Sequence, residues 1–147
     1  MRAFEIRIKK LNPDAKLPYH GSEAAAGYDV FAVEETKIPP GKSVLIPTGL
    51  ALEIPPGHFL ELCPRGSLVM KHNLDMPHSV GIIDSDFRGE LFVPLRNLDT
   101  KKTHTIAKHE RIAQIILQSY CEMNFSEVKK LNNTKRGDGM FGSTGKF

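Results

Sequence analysis

Cysteine is scarce in this chain. Cys63 and Cys121 are the only two in 147 residues, and no Cys-x-x-Cys spacing exists. That excludes a disulfide scaffold and leaves a structural zinc site without a ligand pattern, while the length suffices for a core without staples. Long apolar runs are missing too: none approaches the roughly 20 residues of a membrane-spanning helix. The N-terminus alternates Phe4, Ile6 and Ile8 with charges, a strand pattern and not the apolar block of a signal peptide. Internal repeats and low-complexity segments are absent. The six histidines form no His-Glu-x-x-His spacing, and the His-x-Glu with Pro-Cys-x-x-Cys pattern of zinc deaminases is missing. The sequence therefore predicts one domain, reduced thiols, no membrane partner, and a cytoplasmic location, or the interior of a host cell if the gene is viral.

A balanced charge is missing only at one end. From Lys129 onward there are five bases (Lys129, Lys130, Lys135, Arg136, Lys146) against Asp138, an excess of four. The rest has fifteen bases and sixteen acids, so the net +3 lies entirely in the tail. A solvated tail and a phosphate-contacting segment both fit that distribution. Nucleic-acid binding is disfavoured, because the bases are few and not interleaved with several aromatics.

What the chain has in quantity is punctuation: 12 glycines and 10 prolines separate short apolar runs. The pattern predicts strands near residues 3–9, 28–33, 43–54, 57–63, 79–84, 90–96, 103–107 and 111–119. One short helical turn is predicted, opening at Ser67 as cap for Leu68 to Lys71. An all-β sandwich or barrel follows for residues 1–132. Residues 133–147, with four glycines and three large apolar side chains, cannot pack a core and are expected to form a mobile arm.

Chemistry concentrates in two stretches. In Gly81-Ile82-Ile83-Asp84-Ser85-Asp86-Phe87-Arg88-Gly89 an apolar strand runs into a turn with two acids and a base, in the form of a hairpin with reactive groups at its tip. A calcium loop is disfavoured, since Arg88 and Leu95 stand where oxygen ligands belong; the acids either shape the turn or face a ligand. In the tail, Gly137, Gly139 and Gly142 match a dinucleotide-binding spacing but lack the strand and helix it needs. A glycine-rich segment beside Arg136 remains, suited to offering amides and a guanidinium to one anion. Gln114, inside an apolar run, needs a buried partner.

Taken in order, Ala26-Gly-Tyr-Asp-Val-Phe-Ala32, Pro64-Arg-Gly-Ser-Leu68, Gly81-Ile-Ile-Asp-Ser-Asp-Phe-Arg-Gly89, Arg111-Ile-Ala-Gln114 and Arg136-Gly-Asp-Gly-Met-Phe-Gly-Ser-Thr-Gly145 resemble the five motifs of the trimeric deoxyuridine triphosphatases. The resemblance implies a jelly-roll-like β-barrel of the β-clip kind and a homotrimer with sites between subunits. It implies a C-terminal arm closing over the site and hydrolysis of dUTP to dUMP and pyrophosphate with Mg2+, keeping uracil out of DNA and supplying dUMP for thymidylate. By position, Asp84 matches the carboxylate that activates water and Asp29 an acid near the metal through water. Arg65, Gly66, Ser67, Gln114, Arg136, Gly142, Ser143 and Thr144 match phosphate contacts, and Phe141 covers the uracil. The segment from His78 through Ile82, Ile83 and back to Phe92 forms the base pocket, with Phe87 against the sugar, rejecting a 2'-hydroxyl. Three positions depart from the pattern: Arg65-Gly66-Ser67 in place of Arg-Ser-Gly, Phe87 for a common tyrosine, and Met140 for a glycine. Two alternatives remain, a dCTP deaminase relative and a non-catalytic trimeric module.

Overall fold

A computed structural model describes residues 3–140. It is built from strands, with one helix among the described residues. The longest strand, β12 (Arg111–Ser119), is the one whose bounds the sequence predicts residue for residue. Its inward positions Ile112, Ala113 and Ile115 are buried. It lies between β3 (Tyr28–Phe31) and β7 (His58–Pro64), pairing antiparallel with both. The edges of this five-stranded sheet are β2 (Tyr19–His20) and β9 (Gly81–Ile83).

The run 43–54, expected as one strand, is two. β5 (Ser43–Pro47) pairs with β10 (Phe92–Asn97), while β6 (Leu50–Glu53) pairs with β1 (Arg7–Lys10). The break falls at Gly49, whose φ of +68° a side chain rarely adopts. A Cβ there would also lie 3.0 Å from the Cβ atoms of both Ala15 and Asn12. The chain turns a corner between sheets, and both halves keep their apolar faces inward. Thr48 secures the corner, its hydroxyl donating to the Leu91 carbonyl at 2.6 Å.

Three strands too short to show alternation were not foreseen: β2, β4 (Thr36–Ile38) and β8 (Leu74–Asp75). β4 pairs with β11 (His104–Ile106), and β8 with the end of β10. A single core joins the sheets, with Ile38, Ile46, Leu62, Leu95, Ile106 and Ile112 fully buried.

The helix α1 (Gly66–His72) corrects the expected cap. Its N-cap residue is Arg65, with no side-chain capping bond, so Ser67 lies inside the first turn and not before it. Buried Leu68 anchors the helix, its amide donating to the Arg65 carbonyl, and Asn73 ends it in the left-handed conformation.

The expected hairpin is also corrected. β9 pairs with β7 in the five-stranded sheet and β10 with β5 in another, so the turn 84–89 bridges two sheets instead of closing a ladder. Residues 120–140 carry no strand or helix, and Met123, Phe125 and Leu131 are exposed.

Candidate active site

Two clusters of polar groups stand on the five-stranded sheet. The first gathers at the start of β12. Asp29 on β3 forms an ion pair with Arg65, Oδ1 lying 3.0 Å from Nε, and accepts from Arg111 Nη1 through Oδ2, also at 3.0 Å. The carboxylate is 14% exposed and carries two guanidinium groups, which leaves the cluster one positive charge in excess. Arg65 is held a second time, donating to the Arg111 carbonyl at 3.3 Å. Gln114 lies beside Asp29 in the ladder, half-buried, its amide 3.5 Å from the Pro64 carbonyl. That weak bond is the partner its sequence position called for. A Cβ at Gly27 would meet its Oε1 at 2.9 Å, so the glycine gives the amide its room. Above Gly66 there is open space, and the amides of Gly66 and Ser67, the first two helical residues, have no intrahelical acceptor. Arginine pairs oriented by a carboxylate beside free amides suit an anion with several oxygens.

Arg111 was not expected as a functional residue, since it opens a run that reads as buried strand. The available signal was its place three residues before Gln114, at a strand's exposed end.

The second cluster is the turn after β9. Asp84 is exposed at the end of the strand, and its carbonyl accepts the Phe87 amide at 3.2 Å. Arg88 ties the turn from outside, one Nη1 donating to the carbonyls of Ser85 at 2.7 Å and Phe87 at 2.9 Å. Beyond it, Glu90 accepts the Gly49 amide at 2.8 Å, fastening the exit to the sheet corner. The carboxylate of Asp84 thus projects from a turn held at both ends. Ile82 and Phe92 are exposed, Ile83 packs against the core, and His78 lies over Gly81, its Nε2 3.2 Å from a Cβ built there.

The clusters do not meet within one chain. Ile83 pairs with Leu60 and Gln114 with Cys63, so Asp84 stands level with Phe59 at the far end of β7 from Arg65. That offset amounts to roughly 13–20 Å along the strand at ~3.3 Å per residue. Arg136 is apart from both. Its Nε donates to the Gly139 carbonyl at 3.0 Å in a local turn, with Gly137 at φ +55°. Phe141, Gly142, Ser143 and Thr144 lie outside the described residues.

Cys63 lies beside the first cluster, opposite Gln114 in the ladder. Burial first, then the Glu61 carboxylate, pushes its thiol above the ordinary range. Among the described residues no three His, Cys, Asp or Glu side chains gather as a metal cage. Each Asp29 oxygen still has lone-pair capacity beyond its arginine bond. A magnesium ion that keeps its waters would therefore fit beside Asp29. A cavity of about 940 Å3 is lined by Phe4, Ile6, Leu17, Tyr28 and Leu117 without an arginine or lysine, which does not suit a phosphate.

An all-β framework with an arginine-carboxylate cluster at a sheet end is the arrangement of a protein suited to a phosphorylated ligand. The family described as dUTPase matches residues 13–145. Deoxyuridine 5'-triphosphate nucleotidohydrolases of Nautilia profundicola and Clostridioides difficile are 42% and 39% identical to it. The first alignment covers 97% of this chain and 100% of that protein, the second 97% and 99%. The solved structure of a Staphylococcus bacteriophage 80alpha dUTPase mutant with dUpNHpp superposes with a TM-score of 0.87 at 25% identity, covering 97% of this chain and 99% of that one. The chain belongs to the dUTPase family.

Proposed function

We propose that this chain hydrolyses dUTP to dUMP and pyrophosphate, at sites shared between the subunits of a homotrimer. Family membership supports the reaction class, and the relatives' names carry the substrate. The observation that carries the mechanism is the exposed Asp84 carboxylate, held at the end of β9 by a turn that Arg88 and Glu90 fasten.

Asp84 orients a water for in-line attack on the α-phosphorus and accepts its proton. The new bond forms between water oxygen and phosphorus as the bond to the α,β-bridging oxygen breaks, and pyrophosphate leaves. Arg65, with the amides and hydroxyl of Gly66 and Ser67, holds the phosphate oxygens, and Gln114 orients one of them. Asp29 fixes the direction of Arg65 and Arg111. Magnesium carried by the triphosphate would be held here by Asp29 through water and would supply charge neutralisation. The segment from His78 through Ile82 and Ile83 to Phe92 receives uracil, and Phe87 lies against the sugar. Arg136 takes the terminal phosphate, with Gly142, Ser143 and Thr144 as further donors and Phe141 over the base.

Sharing between subunits is supported by the offset of the two clusters. A near-attack geometry needs reacting atoms about 3 Å apart. Asp84 and Arg65 of one chain are too distant to act on the same phosphate, so each site takes them from different copies.

The test is pyrophosphate release with magnesium across dUTP, dTTP, dCTP and UTP. Release from dUTP alone is the expected result. Ammonia release from dCTP, or salt-sensitive DNA binding without any turnover, would refute it.

A further inference from the structure

We propose that Gly89 is a positioning residue for rejection of ribose nucleotides, because its missing side chain is the seat on which the Phe87 ring rests. The inference depends on Phe87 lying against the sugar, as proposed above.

A Cβ at position 89 would lie 2.6 Å from Phe87 Cζ and 2.9 Å from Cε2, closer than real Cβ atoms come to any heavy atom. Nothing in the backbone asks for glycine here. The positive-φ glycines among the described residues are Gly41, Gly49, Gly57 and Gly137, and Gly89 is not one of them. An alanine would therefore meet no positive-φ strain, and it would reduce the entropy of the unfolded chain. The steric demand comes from the ring alone, and the ring is what would yield. Phe87 is 43% exposed and its outer edge meets the added methyl, so a side-chain rotation relieves the contact while the backbone stays in place.

The backbone on either side has its own fastenings. Arg88 holds the carbonyls of Ser85 and Phe87, and Glu90 holds the Gly49 amide. Displacement of the ring therefore leaves Asp84 where it is. Gly89 separates two properties that a substitution elsewhere in the turn would mix, the aim of the carboxylate and the position of the aromatic wall. With the wall moved, a 2'-hydroxyl finds room that it lacks in the native turn.

Gly89→Ala should retain its melting temperature and most of its turnover on dUTP, while the ratio of kcat/KM for dUTP over UTP falls by roughly tenfold, a range set by loss of one steric contact. In a Phe87→Leu background the same substitution should leave the ratio unchanged, since the ring it displaces is gone. The α-protons of Gly89 should be ring-current shifted in the native protein and lose that shift in Phe87→Leu. If Phe87→Leu lowers the ratio and folded Gly89→Ala does not, the role of Gly89 is refuted alone. If Phe87→Leu itself leaves the ratio unchanged, the sugar contact is refuted and the role of Gly89 with it. A further loss on adding Gly89→Ala to Phe87→Leu would place the effect in the backbone and overturn the proposal.

Discussion

Replacing Asp29 by asparagine keeps the size of the side chain and one acceptor oxygen but removes the charge facing two guanidinium groups. The bond to Arg65 joins groups 14% and 24% exposed, so it is largely withdrawn from water. Breaking an ion pair of that kind, between the exposed and the fully buried case, costs about 1–3 kcal/mol. Arg111 is 46% exposed, and its bond contributes about 0.2–1 kcal/mol. Asparagine retains a neutral form of one bond and turns its NH2 group toward the other arginine, donor against donor. The net loss is about 2 kcal/mol, which lowers the melting temperature of a chain this long by roughly 4–8 °C. The effect on catalysis separates two roles for the carboxylate. Without Asp29 the cluster gains a positive charge, so attraction for a triphosphate rises. If orientation of Arg65 governs, turnover falls regardless, with kcat/KM for dUTP down roughly tenfold to a hundredfold, equivalent to about 1.4–2.8 kcal/mol. Calorimetry and steady-state pyrophosphate release measure both quantities on one preparation. A lower KM with kcat unchanged would refute the reasoning, because it would make the arginines simple charges needing no orienting partner.

Asp84→Asn should assemble and bind nucleotide, measured by calorimetric titration, while hydrolysis falls by about 10²–10⁴-fold; near-native turnover would remove Asp84 from the mechanism. Truncation after Asn133 should leave assembly intact by light scattering and cripple turnover, because Arg136 and the glycines beyond it are lost; full activity would make the tail dispensable. His104 is held below its ordinary value of 6.5, first by burial and then by the charge of His72, with Lys102 adding to the shift and Glu110 opposing it. Its folded pKa is depressed, so the unfolded chain binds the proton more readily. That contribution to stability is intact above about 6.5 and is lost as pH falls below it. Urea midpoints at neutral and mildly acidic pH should therefore diverge less in His104→Asn than in the native protein.

A long apolar run made β12 legible to its last residue, and shorter ones made β3 and β7 nearly so. The corner at Gly49 was not, because its need for glycine comes from Ala15 and Asn12, more than thirty residues earlier in the chain. Likewise Asp29 was readable as a site residue, but its partners lie elsewhere in the chain, Arg65 at the start of α1 and Arg111 on β12, the second 82 residues away. Local pattern announces which side chains carry chemistry, while pairing decides whom they touch. The turn at 84–89 shows the same division. Its residues read as reactive from sequence, yet the strands flanking it look like hairpin partners, and only their separate pairings with β7 and β5 reveal a bridge between sheets.

The offset between Asp84 and Arg65 along β7 has a genetic consequence under the shared-site arrangement. Each chain donates its carboxylate to one neighbour's site and its arginine cluster to another, as head-to-tail contacts in a ring require. A lesion in either cluster is then recessive in a particular way. Two chains, one lacking Asp84 and one lacking Arg65, are each inert alone. Co-assembled at random in equal amounts, they rebuild intact junctions at about a quarter of the positions, wherever a whole arginine cluster happens to face a whole carboxylate. Activity would reappear from two dead proteins on mixing, and its extent would count junctions and not chains.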